Sequence, residues 1–135
     1  MNSFSLRIVT PEGEIYSGEA KSITLSTIDG EVQILAGHAD YFSALACGRV
    51  KIVTSDSEER RGSSSGGFLT VKAGKVEVVF TTFEYAENID LARARLAKEK
   101  AEAMITAARN AMEEKRAKAK LARALSRLNV ADPGK

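Results

Sequence analysis

The residues best suited to chemistry in this sequence are charged side chains at the start and end of its last third. Asp90 and Arg93 stand three residues apart, so a helix beginning there would place them on one face. Arg123 and Arg127, four residues apart, would likewise project together. Converging guanidinium groups suit phosphate oxygens, because each offers a planar fork of donors. An ordinary helix start, with Asn88 as the cap and an intrahelical Asp90–Arg93 ion pair, also explains the first pair.

The composition limits the kind of protein this can be. With 135 residues, 44% of them apolar, the chain has the size of one small globular domain, or of one domain with an appendage. Its net charge of +2 gives no bulk attraction to polyanions. Cys47 is the only cysteine, so the sequence offers neither an internal disulfide nor a cysteine metal cluster. The start lacks a secretory pattern, and no apolar run approaches the ~20 residues that span a bilayer. We therefore expect any membrane association to depend on another protein.

A change of hydrophobic period divides the chain, and predicts one domain over residues 1–86 and another over residues 87–135. In the first, apolar residues such as Phe4, Leu6 and Ile8 alternate with polar ones, and glycine-containing turns are frequent. Short alternating segments favour an antiparallel β-sandwich or barrel. The second is rich in Ala, Leu, Glu, Lys and Arg, which favour helix.

The helical region permits two arrangements. One continuous helix over residues 88–130 would be ~65 Å long at about 1.5 Å per residue. Two antiparallel helices would instead break near residues 107–112, where Asn110 is the only turn-prone residue. Alanine dominates both predicted contact faces, and its burial contributes little because the gain follows apolar area. Weak docking with high helicity suits an element that switches between two states. The predicted faces are Ile89, Ala92, Leu96, Ala103 and Ala107 on the first helix, and Ala117, Leu121, Ala124, Leu125 and Leu128 on the second.

Three further features resemble sites but have simpler structural explanations. His38 is the only histidine, so it has no second imidazole for a metal site and no argued triad partners. The stretch 63–67 lacks the Gly-Lys-Ser/Thr ending of a phosphate loop and predicts a tight turn or bulge. Cys47 lies in an apolar stretch, which predicts a small packed side chain. Because no nucleophile, base and orienting group occur together, the sequence predicts no catalytic site.

Basic residues are concentrated in the second half of the helical region, with only Glu113 and Glu114 to balance them. Such a cluster is either a solvated helix face or a docking face for an acidic protein surface or a polyphosphate. A nucleic-acid partner is disfavoured, because only 6% of residues are aromatic and none lies in the helical region to stack on bases. The cluster comprises Lys115, Arg116, Lys118, Lys120, Arg123 and Arg127.

Four stretches, in this order and spacing, are similar to a known family. They are VTPEG at 9–13, GEVQILAGH at 30–38, SGGFLTV at 65–71 and IDLARA at 89–94. Together with the plan of a sheet followed by helices, they make the chain resemble the epsilon subunit of bacterial F-type ATP synthase over essentially its full length.

The resemblance implies a β-sandwich followed by a two-helix hairpin able to extend, in a non-catalytic subunit of the central stalk that couples the catalytic head to the c-ring. The loop from Glu31 to His38 would face the gamma subunit and the c-ring. The helices would leave the sandwich, extend along gamma and inhibit ATP hydrolysis, while a basic segment meets an acidic segment of the catalytic beta subunit. The protein would lie at the cytoplasmic face of the bacterial cell membrane, held there only through the complex. The basic segment comprises Lys115, Arg116, Lys118 and Lys120.

The resemblance also implies ATP as a regulatory ligand of the folded hairpin, with no required cofactor. Acidic residues would contact the adenine or ribose, and arginines the phosphates. Lys100 stands where members with this site carry arginine, which keeps the charge but loses the planar fork. Ala36 stands where proline is common, so that loop is less rigid. A free-standing nucleotide-binding module, using the same residues without motor partners, is the alternative. The implied ATP-binding residues are Glu84, Ile89, Asp90, Arg93, Ala94, Lys100, Arg123 and Arg127.

Overall fold

A computed structural model describes residues 3–131 of the chain. Over that range nine strands are followed by a short 3-10 turn at Ala86–Asn88 and two helices. The predicted β-sandwich followed by a two-helix hairpin is confirmed. The strands are β1 (Phe4–Thr10), β2 (Gly13–Thr27), β3 (Gly30–Leu35), β4 (Tyr41–Leu45), β5 (Gly48–Thr54), β6 (Glu59–Ser64), β7 (Gly67–Lys72), β8 (Lys75–Phe80) and β9 (Phe83–Tyr85). The helices are α1 (Leu91–Ala107) and α2 (Ala111–Ala131).

The long strand β2 belongs to both layers of the sandwich. Its first half pairs with β1, where Phe4 lies opposite Ala20, and its second half pairs with β3 and β5. One layer therefore has the order β3-β2-β5-β6-β9, and the other the order β2-β1-β8-β7-β4. The expected antiparallel pairing holds among the described strands except between β1 and β8, which run parallel with Leu6 beside Val76. A parallel pair needs a long crossover, and the intervening strands of the sandwich provide it.

The alternation of the strands explains the core between the layers. Fully buried side chains come from alternate positions of β1, β2, β5, β7 and β8, and Ile34 adds one from β3. The first half of β2 was not predicted, because Ile15 and Tyr16 are adjacent and the other residues of 14–19 are charged, polar or glycine, so no alternation appears. This half lies at the exposed end of the strand. The largest buried side chains are Phe80, Leu6, Ile8, Ile23, Leu25, Ile34, Ile52 and Leu69.

The helical region forms the hairpin and not the continuous rod. Asn110 separates the helices, because its Oδ1 accepts the backbone N–H of Glu113 at 2.9 Å and caps α2. The Glu113 side chain in turn accepts the backbone N–H of Arg109 at 3.0 Å. Helix α2 packs against β5 and β6, whereas α1 packs chiefly against α2. The hairpin is therefore attached to the sandwich through its second helix.

The predicted contact face of the first helix is wrong. The buried residues of α1 are Ala94 and Ala101, while Leu96 is 66% exposed, and Ala92, Ala103 and Ala107 are exposed as well. Alanine occurs on several faces of this helix, so composition does not select one. On α2 the prediction is partly correct, since Ala117 and Ala124 are buried, Leu121 and Leu128 are half-buried, and Leu125 is exposed.

The close approach of β6 to β9 yields a stability prediction. A Cβ at Gly62 would lie 2.6 Å from the Glu84 carbonyl oxygen and closer still to the Phe83 ring. Gly62→Ala should therefore lower the free energy of unfolding by about 1–3 kcal/mol and displace β9. Urea denaturation measures the first effect, and faster amide hydrogen exchange in β9 reports the second.

The matched control is Gly74→Ala, whose added Cβ has no neighbour within 4 Å, although Gly74 has φ +79°. It should cost about 1 kcal/mol through backbone conformation alone and leave exchange in β9 unchanged. Equal exchange in β9 for the two variants would contradict the proposed close packing.

Candidate functional site

A cleft of about 770 Å³ lies where the hairpin joins the sandwich. It is bounded by the turn between β1 and β2, the link from β8 to β9, the start of α1 and the end of α2. The predicted nucleotide residues in its lining come from separate parts of the chain, and the fold alone brings them together. They are Glu84, Ile89, Asp90, Arg93, Ala94 and Arg127.

The start of α1 differs from the predicted helix start. Asp90, not Asn88, is the N-cap, and its Oδ1 accepts the backbone N–H of Arg93 at 3.1 Å. Asn88 instead ends the 3-10 turn that precedes the helix. The Asp90 carboxylate thus contacts the Arg93 backbone, while the Arg93 residue is exposed and lines the cleft. The Arg93 guanidinium can therefore bind a ligand without first breaking an ion pair with the Asp90 carboxylate.

Glu84 and Arg127 form an ion pair across the cleft. The Arg127 Nε donates to the Glu84 Oε1 at 2.6 Å, and the two side chains are 33% and 42% exposed. Because Glu84 lies in β9 and Arg127 lies in α2, this charge-assisted hydrogen bond joins the sandwich to the hairpin. Glu84 and Arg127 were each predicted to contact a nucleotide. In this structure they instead form an ion pair with each other.

The other two predicted nucleotide residues lie outside this cleft. Lys100 borders a shallow depression on α1 that Arg93 also lines, and Arg123 borders a second pocket nearer the loop between the helices. Helical spacing nevertheless places the helical basic residues of these two pockets on the same side of the hairpin as Arg127. We call this side the basic face, and it comprises Arg93 and Lys100 of α1 with Arg116, Lys120, Arg123 and Arg127 of α2.

The predicted partner-contact residues of α2 divide between two sides of that helix. Arg116 and Lys120 belong to the basic face and line the second pocket. Lys118 points elsewhere and pairs with Glu114 at 3.6 Å, one helical turn away. Lys115 is exposed and lies off the basic face. An acidic partner would therefore meet two distinct basic surfaces and not one.

Polar groups beneath α2 form a contact that was not predicted from the sequence. The hydroxyls of Ser63 and Ser126 are buried and lie 2.7 Å apart. Cys47 is half-buried nearby, and burial raises the pKa of its thiol above the ordinary value. Arg123, Arg127 and a hydrogen bond to Ser126 act on the thiol pKa in the opposite direction but do not cancel the burial effect. The only sequence signal was a single serine in a helix built mostly of Ala, Leu, Lys and Arg.

The strand that precedes the hairpin is fixed by a second contact that was not predicted. The Arg60 guanidinium lies 3.9 Å from the centroid of the Tyr85 ring and 3.3 Å from a Glu87 carboxylate oxygen. The Tyr85 hydroxyl donates to the carbonyl of Ile15 at 3.1 Å, and burial raises the pKa of this phenol. Arg60 therefore ties β9 and the 3-10 turn to the sandwich. This cluster marks where the fixed part of the chain ends.

The segment from Glu31 to His38, predicted as a loop that meets partners, forms most of β3 and the turn after it, and it lies beside an exposed apolar patch. Glu31 is exposed, and His38 is half-buried with its Nδ1 2.7 Å from the Ala39 carbonyl oxygen. The next strand, β4, carries Phe42, which stacks on Phe68 of β7 at 5.9 Å between ring centroids. Phe42 is 67% exposed and Phe68 is 52% exposed. Exposed aromatic pairs of this kind mark interaction surfaces.

No helix within residues 3–131 combines the length and apolar character that crossing a membrane requires. The described structure has two parts, a β-sandwich and a helical hairpin with a basic face that packs on the sandwich through α2.

The comparisons with known proteins agree with this architecture. The family profile described as ATP synthase, Delta/Epsilon chain, beta-sandwich domain matches residues 3–86, and the one described as its long alpha-helix domain matches residues 87–132. The chain belongs to the ATP synthase delta/epsilon chain family. The predicted resemblance to bacterial epsilon subunits is thereby confirmed.

Relatives match over nearly the whole chain. The ATP synthase epsilon chain of Shouchella clausii is 37% identical over 131 residues, which cover 97% of this chain and 96% of that one. The epsilon chain of Staphylococcus saprophyticus is 38% identical over 133 residues, covering 98% of each.

Among solved structures, a chain of the Euglena gracilis mitochondrial ATP synthase, in its OSCP/F1/c-ring assembly, superposes with a TM-score of 0.83 at 23% identity. The match covers 92% of this chain and 78% of that chain. A chain of the central stalk/c-ring structure of the Tetrahymena thermophila enzyme gives a TM-score of 0.70 at 16% identity, covering 94% of this chain and 95% of that one. At these identities the likeness establishes the fold.

The buried serine pair predicts a characteristic pattern of mutational effects. Ser126→Ala should weaken docking of α2 by about 1–3 kcal/mol, because the Ser63 hydroxyl is left buried without its partner. The double variant Ser63→Ala/Ser126→Ala should recover most of that loss, since no unpaired hydroxyl remains. Hydrogen exchange of the α2 amides measures docking. Additive losses in the double variant would show that the two hydroxyls do not form the stabilising contact.

Proposed function

We propose that this protein is the central-stalk subunit of a rotary ATP synthase, which couples the catalytic head to the c-ring and inhibits ATP hydrolysis through its mobile hairpin. Family membership supports the assignment to that enzyme. The observation that carries the regulatory part is the attachment of the hairpin through α2, by small side chains, one serine pair and one ion pair.

This attachment is weak enough to be reversible. The buried apolar residues of the hairpin are alanines and one valine, so undocking exposes little apolar area. The ion pair and the serine pair contribute more, yet both groups can be solvated once the helix leaves. The sandwich, by contrast, holds its own core of large apolar side chains and does not need the hairpin to fold.

ATP would favour the docked hairpin by binding where the cleft joins both parts. The cleft presents Asp90 and Glu84 for the base or ribose, and Arg93 with Arg127 for phosphates, with Lys100 and Arg123 farther along the basic face. Such a ligand would compete with Glu84 for Arg127, replacing one carboxylate with a more highly charged phosphate chain. A ligand shifts the hairpin only if it binds the docked state better, and a shift from 1:99 to 99:1 requires about 5.5 kcal/mol of differential binding.

In the extended state the helices would carry the exposed basic residues of α2 to an acidic segment of the catalytic beta subunit. Arg116 and Lys120 would supply one basic surface, and Lys115 with Lys118 the other. Extended along gamma, the helices would block rotation in the hydrolysis direction. Inhibition would therefore increase when ATP is scarce.

The coupling role would use the opposite layer of the sandwich. The exposed Phe42–Phe68 pair lies on β4 and β7, whereas the hairpin covers β5 and β6. Together with Glu31 of β3 and His38 in the turn that follows, this patch would contact gamma and the c-ring whether or not the hairpin is docked. The subunit would thus stay at the cytoplasmic face of the bacterial membrane, where the complex moves H⁺ or Na⁺. A free-standing nucleotide sensor would not need this patch. Co-purification with the gamma subunit would therefore support the central-stalk subunit over the free-standing sensor.

The ATP switch is testable on the isolated protein with its natural cysteine as the probe. Calorimetric titration should show one saturable ATP site near the cleft that Arg93→Ala removes. At 100 times Kd, ATP would stabilise docking by about 2.7 kcal/mol, so maleimide labelling of Cys47 should slow by up to about 100-fold. Lys98→Gln, which changes a charge on α1 outside the cleft, is the control and should behave as the original protein.

The labelling rate should also depend on pH in a defined direction. Because burial raises the thiol pKa in the docked state, that state holds less reactive thiolate at a given pH. Docking therefore weakens as pH rises through the range in which the free thiol ionises.

The ATP switch would be refuted if ATP bound in calorimetry but left the labelling rate of Cys47 unchanged. That result would leave the binding site itself intact.

The inhibitory role is testable in the reconstituted motor. A truncated chain ending at residue 87 keeps β9 and most of the 3-10 turn but removes both helices. It should raise ATP hydrolysis at low ATP several-fold and leave assembly with gamma unchanged. Unaltered hydrolysis with normal assembly would exclude the brake, whereas lost assembly would show that the hairpin is needed for coupling.

A further inference from the structure

The sandwich carries a cluster of cations of its own, on the outer face of the layer to which the hairpin is attached. Val50 and Ile52 of β5 are buried in the core, so Arg49 and Lys51, at the alternate positions, lie on the outer face. Arg61 of β6 lies directly opposite Lys51 in the antiparallel pair and therefore shares that face. We call Arg49, Lys51 and Arg61 the β5–β6 cluster.

The β5–β6 cluster begins where the contact with α2 ends. Ser63, which lies opposite Arg49 on the same face, is buried and bonds to Ser126 of α2. Arg49 itself is exposed, and the Lys51 side chain is 44% exposed. The cluster is thus accessible while the hairpin is docked, and it belongs to the sandwich and not to the hairpin.

The charges of this cluster are unbalanced. Like charges directly opposite each other destabilise an antiparallel pair, and Lys51 and Arg61 stand in that relation. Lys51 lies 3.5 Å from a carboxylate oxygen of Glu59. Within residues 3–131, neither Arg49 nor Arg61 takes part in a salt bridge. Two guanidinium groups are therefore available to an external anion.

The outer face of the opposite layer differs in both charge and polarity. There Arg7 lies 3.0 Å from Glu14 and 3.7 Å from Glu77, beside the exposed aromatic patch. The neighbours of the β5–β6 cluster on β2 and β3 are instead Thr24 and Gln33, which are polar and uncharged. The aromatic face therefore suits an apolar partner, whereas the face with the cluster suits an acidic one.

The spacing of the cluster narrows the kind of acidic partner. Directly opposite residues have Cβ atoms about 4.5–5.5 Å apart, and diagonal neighbours are about 7–8 Å apart. Carboxylate residues three or four positions apart on a helix have Cβ atoms about 5–6 Å apart, which is a close match. Arginine also binds a carboxylate through two parallel hydrogen bonds. We propose that the β5–β6 cluster docks an acidic α-helix of another subunit of the ATP synthase.

This contact differs from the proposed binding of the basic residues of α2 to the catalytic beta subunit. Because the β5–β6 cluster is part of the sandwich, its partner stays bound in both states of the hairpin. Carboxylates bound there remove the repulsion between the paired cations and thereby stabilise the sheet. The inference rests on the proposed assembly of this chain into an ATP synthase.

Carbodiimide crosslinking of the purified ATP synthase, followed by peptide mass spectrometry, tests this surface. The reagent joins an amine to a neighbouring carboxylate as an amide and leaves as a urea. We expect Lys51 to be joined to an aspartate or a glutamate of another subunit. A crosslink between Lys51 and Glu59 of the same chain, 3.5 Å apart, shows that the reagent reached the cluster.

Arg49→Gln/Arg61→Gln keeps the reactive lysine but removes two carboxylate-binding groups, so the intersubunit yield should fall about tenfold or more. The matched control Lys72→Gln/Lys75→Gln removes two opposed cations at the turn between β7 and β8 and should leave that yield unchanged. In the isolated chain, Arg61→Gln should unfold at a higher urea concentration, because like charges no longer oppose each other. Higher stability together with weaker crosslinking separates a docking role from a structural one.

The proposed surface is excluded if Lys51 crosslinks only to Glu59 in an enzyme that contains this chain. If this chain were absent from the purified enzyme, both this contact and the central-stalk role would be overturned. Equal intersubunit yields in the cluster variant and the control would exclude Arg49 and Arg61 as docking residues. The surface would instead belong to a membrane if the isolated chain bound anionic phospholipid vesicles, the cluster variant did not, and no intersubunit crosslink formed.

Discussion

The limited contact between α2 and the sandwich is the constraint on which the rest of this structure depends. Small side chains allow the helix to approach the sheet closely, yet they bury little apolar area. Docking therefore relies on polar contacts, the buried Ser63–Ser126 pair and the Glu84–Arg127 ion pair. Such contacts depend on geometry and are lost together when the helix shifts. A hairpin held in this way suits the proposed switch between a docked and a free state.

The cations of the basic face make the stability of the hairpin sensitive to bound anions. Six cations lie on one side of the two helices, and only Arg127 among them pairs with a carboxylate within residues 3–131. Their mutual repulsion opposes the folded hairpin, whereas the alanine contacts favour it. The difference between these two free-energy contributions is small, so a bound anion changes it by a large fraction. The same cations cannot serve a phosphate chain in the docked state and an acidic protein surface in the extended state at the same time.

The sandwich and the hairpin meet at a short, well-anchored segment. Arg60 holds Tyr85 and Glu87, and the Phe83 ring stacks on Phe80 at 5.3 Å between centroids. These contacts keep β9 on the sandwich independently of the helices. Movement of the hairpin would therefore begin after the 3-10 turn, at Ile89 and Asp90. A ligand at the proposed nucleotide site would contact both parts of the chain and would therefore bind better when they are together.

The sequence by itself determined the kinds of structure and where they change. Alternating apolar residues specify strands, and long runs of helix-forming residues specify helices, because both signals are local. The family resemblance added the hairpin and the set of nucleotide residues. Tertiary structure decided the buried face of α1, the partner of Arg127 and the separation of Arg123 from the cleft. The serine pair joins residues 63 positions apart and the ion pair residues 43 apart, so no local pattern reveals either contact. Alanine on several helix faces likewise left the choice of face to packing against the sheet.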